Sequence, residues 1–220
     1  MRSAQQVAKR AIVMTTLAFR ASLEVTDHSR SEEISGRLLN WLQRHAIADE
    51  LDLIEREILE APYRKMHQSQ LTDATLAGEG ACLFAWAIGL GDPLPKRESA
   101  DARGLVQSLH ILQEDVRELI DGASLKPEDE LTSCCLEIFL TLSNMRQRRL
   151  SDVAAQAIIR NADANRMAAH GLLPTDVACS RSNEFVDSLS EEQRRAAAGF
   201  YFVRSVAASW LLDNRQSFFQ

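Results

Sequence analysis

Apolar residues recur every three or four positions along most of the chain, the spacing of one face of an α-helix. The first predicted helix covers about residues 3–25, and its apolar stripe is suited to packing against another helix. Similar stripes predict helices over about 29–45, 49–61, 73–88, 102–120, 127–149, 151–170 and 190–212. Few stretches carry the β-branched and aromatic residues that strands favour. The pattern therefore predicts an all-α fold, a compact multi-helix bundle of about eight helices.

Two helix starts carry a further signal. Ser29 with Glu32, and Ser190 with Gln193, have the spacing of a capping box, in which each side chain accepts a hydrogen bond from the backbone amide of the other residue. We expect these pairs to begin the second and the last helix. Residues 176–187 show no clear pattern.

Proline, glycine and charged residues interrupt the helical pattern at residues 91–101. No internal repeat or low-complexity linker accompanies this break. We therefore expect a single helical domain over residues 1–220, with 91–101 as the place where two lobes would separate.

Composition and charge narrow the class of protein. The chain has 220 residues, of which 45% are hydrophobic, and a net charge of −6. This fits a folded domain and disfavours a nucleic-acid binder, because such proteins carry a basic face. The most apolar window, residues 196–212, contains Arg204 and is shorter than the roughly 20 residues of a membrane span, so no membrane partner is expected. The first residues lack a secretory signal and no cysteines form a C-x-x-C pair, which predicts a cytoplasmic protein with free thiols.

Acidic residues are concentrated in two stretches of the chain, residues 49–60 and 114–137. They can be solvated helix faces and helix N-termini, where carboxylates are favourable. They can also form a surface that binds a protein partner with a basic face. Both interpretations stay open for the six residues predicted for such a surface: Glu114, Asp115, Glu118, Glu128, Asp129 and Glu130.

Glu79 is a buried polar candidate because it lies in the most apolar predicted helix. Leu83 and Trp86 follow four and seven positions later and share its face. A carboxylate there is costly unless it is paired, so one interpretation is a structural ion pair with Arg10 or Arg20. The other is a pocket carboxylate with a raised pKa.

Motifs for catalysis, metals and cofactors do not occur in recognisable form. The five histidines are never three or four positions apart, and no phosphate loop or nucleophile elbow is present. The densest basic run is Arg146, Arg148 and Arg149, which we interpret as cations complementing a helix C-terminus. We therefore predict no catalytic residue, no metal site and no cofactor.

Several motifs lie in the first 95 residues. They are Arg10 and Arg20 in an apolar helix, Trp41-Leu42, Glu55-Arg56-Glu57-Ile58-Leu59 before Pro62, and Glu79 before Ala85-Trp86-Ala87-Ile88-Gly89-Leu90. Together they resemble the bacterial domain-of-unknown-function family 4272, although Leu76 stands where the family pattern has a tryptophan. The resemblance implies a bacterial, cytosolic, helical protein and brings no activity or cofactor.

Three functions follow as hypotheses. The first is a non-catalytic protein-interaction module, in one form an immunity protein that neutralises a bacterial toxin through its acidic surface. The second is a small-molecule-binding protein with a pocket near Glu79 and Trp86. The third is an enzyme whose site is assembled from distant residues near Glu79. The sequence leaves the oligomeric state open.

Overall fold

The computed structural model describes residues 1–26, 29–91, 94, 96–99, 101–149 and 153–212. Within these residues the chain forms ten α-helices, a 3₁₀ turn at Ala48–Glu50 and no strand. Eight helices have eight or more residues, which confirms the predicted all-α class. The helices are α1 (Ala4–Val25), α2 (Ser31–Arg44), α3 (Leu53–Glu60), α4 (Gln68–Ala87), α5 (Leu105–Ser108), α6 (Val116–Asp121), α7 (Glu128–Gln147), α8 (Val153–Ala169), α9 (Asp176–Asp187) and α10 (Glu191–Leu211).

Backbone contacts divide the chain into two units. The N-terminal unit contains α1 to α6, and the C-terminal unit contains residues 96–99 together with α7 to α10. The chain passes from one unit to the other within residues 91–101 and again after Lys126. That residues 1–220 form a single domain stays a prediction. No helix among the described residues combines the length and apolar character needed to cross a membrane.

The core of the N-terminal unit is the packing of α1 on α4. Every residue from Ala11 to Leu17 is buried in α1. Small residues of α4 let it approach α1 closely. A Cβ atom added at Gly78 would lie 3.2 Å from the Cβ of Ala102 and 3.7 Å from that of Ala18. The absence of a side chain at Gly78 therefore sets the distance of α4 from Ala18 of α1 and from Ala102.

The single helix predicted over residues 102–120 is wrong. Two short helices, α5 and α6, occupy this stretch, and His110 and Leu112 between them have φ angles of 53° and 63°. Left-handed residues end a helix, and here they turn the chain so that both Leu109 and Ile111 are buried. Non-glycine residues seldom adopt this conformation, so no residue type in this stretch predicted the break.

Helix starts were predicted with mixed success. The Ser29–Glu32 capping box is wrong, because the N-cap of α2 is Arg30, whose side chain makes no capping hydrogen bond. The Ser190–Gln193 box is confirmed: the Gln193 amide donates to Ser190 Oγ at 3.2 Å and the Ser190 amide donates to Gln193 Oε1 at 2.9 Å. A side chain three residues along the chain is therefore not sufficient evidence of a cap.

Two other starts are shifted. Helix α3 begins at Leu53 rather than near Asp49, with Asp52 as its cap, because a 3₁₀ turn takes the preceding residues. Helix α4 begins at Gln68, five residues before the predicted start at Asp73. The segment between the two helices is therefore residues 61–67, shorter than the predicted 62–72.

In the C-terminal unit α7 packs against α8, α9 and α10. Helix α9 fills residues 176–187, where the sequence showed no pattern, and its Thr175 cap accepts from the Ala178 amide at 3.2 Å. The predicted inward face of α8 is wrong: Ala157 and Ala162 are exposed, and Ile158 is 70% exposed. Ser151, where the helix over residues 151–170 is predicted to begin, lies outside the described residues. The tail residues Phe218 and Phe219 lie outside them as well.

Residues 96–99 join the C-terminal unit through α10. The buried Arg204 guanidinium donates to the Glu98 carbonyl oxygen at 3.0 Å, and the Tyr201 hydroxyl donates to the Lys96 carbonyl oxygen at 3.3 Å. Arg204 also lies over the Phe200 ring, 4.6 Å from its centroid. Burial raises the pKa of Tyr201 to about 12, so this phenol remains a donor.

Candidate functional site

The buried Arg10 of α1 is paired with Glu55 of α3. One guanidinium nitrogen donates to Glu55 Oε2 at 2.8 Å, the other donates to Oε1, and the first also donates to the Glu50 carbonyl oxygen at 3.1 Å. Glu55 is fully buried and accepts from the Asp52 amide at 3.0 Å as part of the α3 capping box. This bidentate pair therefore joins α1 to the start of α3 and is structural.

Arg20, also in α1, is fully buried and forms an ion pair with Glu24, one helical turn along. Its other terminal nitrogen donates to the Ala61 carbonyl oxygen at 2.9 Å. The contact holds the chain beyond α3 against α1. Both predicted arginines are thus committed to packing within the N-terminal unit.

Glu79 is 1% exposed, in agreement with its prediction as a buried polar residue of α4. The predicted ion pair with Arg10 or Arg20 stays a prediction. Nearby in the sequence, Trp86 is half-buried and its ring lies beneath the Lys126 ammonium, 5.3 Å from the ring centroid. This face of the indole therefore meets a cation of the same unit.

The six predicted partner-binding acids are all exposed but fall into two groups, one in each unit. In the N-terminal unit, Glu114 pairs with Arg44 at 3.1 Å and Asp115 with His110 at 2.8 Å. In the C-terminal unit, Glu128, Asp129 and Glu130 form the first turn of α7, where the helix dipole favours them.

The adjacent thiols Cys134 and Cys135 are poor nucleophiles. Burial raises the pKa of Cys134 to about 12 and raises that of Cys135 further. Both are therefore protonated at neutral pH, whereas the thiolate is the reactive and metal-binding form. Across the described part of the chain, no three His, Cys, Asp or Glu side chains lie close enough together to hold a metal ion.

A groove of about 430 Å³ opens between α7, α8 and α9 in the C-terminal unit. We call it the amide groove because four carboxamide side chains line it. Ser143, two guanidinium groups, the Cys179 thiol and apolar side chains complete the lining. The carboxamides are Asn144, Gln147, Gln156 and Asn183; the guanidinium groups belong to Arg148 and Arg160; the apolar residues are Leu140, Ala164, Met167 and Pro174.

Hydrogen bonds fix part of this lining. Asn144 Nδ2 donates to Ser182 Oγ at 2.9 Å, and Gln147 Nε2 donates to Ser143 Oγ at 3.0 Å. Arg160 Nε donates to Gln147 Oε1 at 3.3 Å and so links α8 to α7. The groove therefore has oriented donors and acceptors, and its described lining carries guanidinium groups but no carboxylate or imidazole.

The chain matches the protein-family model described as Domain of unknown function (DUF4272) over residues 1–220. The chain belongs to this family. The resemblance seen in the first 95 residues thus extends over the whole chain. No curated protein and no solved structure matches it.

The DUF4272 motifs seen in the sequence are explained by packing. Arg10 binds Glu55, Arg20 binds the chain at Ala61, and Trp41 Nε1 donates to the Gln113 carbonyl oxygen at 3.0 Å. These contacts all lie inside the N-terminal unit and hold its helices together. The motif residues therefore mark the scaffold of the DUF4272 fold.

Sequence reasoning missed the amide groove. Its residues come from three helices, and no local spacing brings α7, α8 and α9 together. The available signal was in α8, where Gln156 and Arg160 are one helical turn apart beside a weak apolar stripe. A helix without a strong apolar face is typically exposed, which leaves its polar side chains available for contacts with a ligand.

Proposed function

We propose that this DUF4272 protein is a non-catalytic binding protein whose amide groove holds a small, flat, polar molecule such as a nucleoside. The observation that carries this proposal is the convergence of four carboxamides in one groove. A carboxamide presents an acceptor and donors side by side. Asparagine and glutamine use this arrangement to bind base edges with two hydrogen bonds.

Part of this capacity is available to a ligand. Asn183 is half-buried, and its side chain makes no hydrogen bond with any other described residue. Asn144 uses its nitrogen on Ser182, which leaves its carbonyl oxygen as an acceptor. A molecule that pairs with these groups would replace the water that a polar groove otherwise holds.

The size and apolar part of the groove also suit a ring. A volume of about 430 Å³ lies within the roughly 300–1,000 Å³ typical of ligand sites. Leu140 and Met167 are buried at its wall, and methionine sulfur makes favourable contacts with aromatic rings. Polar edges beside an apolar surface are what a heteroaromatic ligand needs.

Isothermal titration calorimetry with adenosine, guanosine, cytidine and uridine tests the proposal. At least one nucleoside should bind, and Asn183→Leu should weaken its binding by about tenfold through the loss of a paired contact. Asn165→Leu is the matched control, because Asn165 is exposed on α8 and does not line the groove. The proposal is wrong if none of the four binds, or if both variants weaken binding equally.

A second function is favoured by the start of α7. Glu128 and Asp129 are exposed and pair with no cation among the described residues. They support a protein-interaction module for a basic partner, in one form an immunity protein bound to a toxin. Glu128→Lys with Asp129→Lys should then abolish co-purification with the product of an adjacent toxin gene.

The matched control for that experiment is Glu32→Lys with Glu33→Lys, two exposed acids in the first turn of α2. Retention of the toxin by both double variants would remove this function. So would the loss of binding in both, which would indicate net charge alone.

We also propose that the protein works in the bacterial cytoplasm. Its four cysteines are free, and two of them are adjacent in α7, which fits a reducing compartment. Alkylation in intact cells under denaturing quench should label all four thiols. Recovery of a disulfide-bonded form as the main species would contradict this location.

A further inference from the structure

A second cavity, of about 560 Å³, lies where the end of α7 meets the start of α10. We call it the arginine cleft. Among the described residues its lining carries four guanidinium groups and one carboxylate, which gives a local charge of about +3, while the whole chain carries −6. The residues are Met145, Arg148, Arg149, Glu191, Arg194 and Arg195.

Two of the four arginines are already neutralised. Arg148 binds Asp187 of α9 at 2.6 Å, and Arg195 binds Glu191 one helical turn earlier. Arg149 and Arg194 form no ion pair with any carboxylate in the described ranges. The excess positive charge of the cleft therefore belongs to these two side chains.

Helix-end electrostatics explains only part of this arrangement. Arg148 and Arg149 follow the last turn of α7, where cations complement the dipole, as the sequence suggested. Arg194 and Arg195 lie in the first turns of α10, where the dipole disfavours cations. Bringing these two pairs together costs repulsion, which a bound anion would reverse.

The floor of the cleft is rigid. Met145 is 1% exposed, and the Arg148 amide is fixed by donating to the Asn144 carbonyl oxygen at 3.1 Å. Across the cleft, the capping box at Ser190 fixes the start of α10, and the Arg194 amide donates to the Ser190 carbonyl oxygen at 2.9 Å. The backbones that carry the arginines are thus held before any ligand arrives.

We propose that the arginine cleft binds the phosphate group of a small molecule. Guanidinium groups recognise phosphate oxygens with paired hydrogen bonds, and two unpaired ones can contact one dianion. The acidic character of the chain as a whole disfavours a long nucleic-acid backbone. The cleft is distinct from the amide groove, with which it shares only Arg148.

Isothermal titration calorimetry at pH 7.5 and fixed ionic strength tests this site, with inorganic phosphate and ribose 5-phosphate as probes. The sugar phosphate carries no nucleobase, so the amide groove does not contribute to its binding. Both should bind. Equal affinity would identify free phosphate as the ligand, and tighter binding of the sugar phosphate would identify a phosphate ester. Failure of both to bind would overturn the proposal, as would binding of a 12-nucleotide single strand without either of them.

Variants locate the binding. Arg149→Gln with Arg194→Gln should weaken phosphate binding at least tenfold. Arg166→Gln, an exposed arginine of α8 outside the cleft, should keep the affinity within twofold. If the control loses as much as the double variant, the binding reflects net charge and the site is wrong.

A variant that binds phosphate more tightly cannot owe this effect to a folding defect. Glu191→Gln removes the one carboxylate of the cleft lining and releases Arg195, so phosphate should bind about threefold or more tightly. Unchanged or weaker binding would contradict the proposal. None of these variants touches Asn183, so failure here leaves nucleoside binding in the amide groove to be judged separately.

Discussion

The two units of the molecule differ in what their helices bury. In the N-terminal unit, α1 and α4 bury apolar and small side chains, and the buried Arg10 and Arg20 each have a carboxylate partner. In the C-terminal unit, α8 buries only Asp163 and Met167 among its described side chains. The first pattern is that of a scaffold, and the second leaves polar side chains available to a ligand.

This difference teaches where to look for function in the DUF4272 fold. The residues that identify the family in the first 95 positions hold helices together. Both cavities described above are lined by α7 to α10. The buried Arg10 and Arg20 thus belong to the scaffold, whereas amides and arginines at the surface line the candidate sites.

The largest expected effect is the loss of the Arg10–Glu55 pair. Glu55→Ala leaves a buried guanidinium without its carboxylate, so the free energy of unfolding should fall by about 3–5 kcal/mol. Glu57→Ala is the control, since Glu57 is exposed on the same helix, and should change it by less than about 0.5 kcal/mol. Urea unfolding measures both, and a similar small loss in each would make the pair unimportant.

Two glycine substitutions probe the packing of the N-terminal unit. Gly36→Ala meets no atom within 4 Å and should stabilise the protein by about 0.5–1 kcal/mol. Gly78→Ala should lose that gain or destabilise the protein, because its Cβ would lie 3.2 Å from that of Ala102. Thermal unfolding should rank Gly36→Ala above Gly78→Ala, and the reverse order would contradict the close approach of α4.

In the C-terminal unit, His170 should make the free energy of unfolding depend on pH. His170 stacks on Phe139 with ring centroids 5.6 Å apart, and burial, followed by the nearby Arg166, lowers its pKa. The unfolded chain then binds the proton more readily, so the stabilising contribution is complete above about pH 6.5 and is lost as the pH falls. His170→Phe should reduce the loss of stability between pH 7.5 and 5.5 in urea unfolding; an unchanged loss would exclude this role.

The smallest effect is expected in the amide groove. Asn183→Ala removes a side chain that forms no hydrogen bond with the described residues, so the free energy of unfolding should change by less than about 0.5 kcal/mol. A loss above about 2 kcal/mol in urea unfolding would mean that Asn183 belongs to the scaffold, and the contrast between the units would disappear.

The sequence predicted what depends on local spacing. The apolar stripes of residues 3–25 and 73–88 were sufficient to predict α1 and most of α4. The capping box at Ser190 was equally local. The break at His110 and Leu112 was missed, because their left-handed conformation is imposed by burial of Leu109 and Ile111 rather than by residue type.

The candidate sites were beyond sequence reasoning for a different reason. Arg149 and Arg194 are 45 positions apart, and only the packing of α7 on α10 gives them a common cleft. Asn144 and Asn183 meet in the same way across α7 and α9. Glu79, by contrast, was recognised as buried because its neighbours in the helix are apolar.

Native-state hydrogen exchange tests the contrast between scaffold and binding unit most directly. Amides of residues 7–23 of α1 and 77–87 of α4 should exchange only through global unfolding, since these segments are mostly buried. Amides of α8 should exchange faster through local opening, because almost all its described side chains remain at least partly exposed. Protection of α8 equal to that of α1 and α4 would contradict the account.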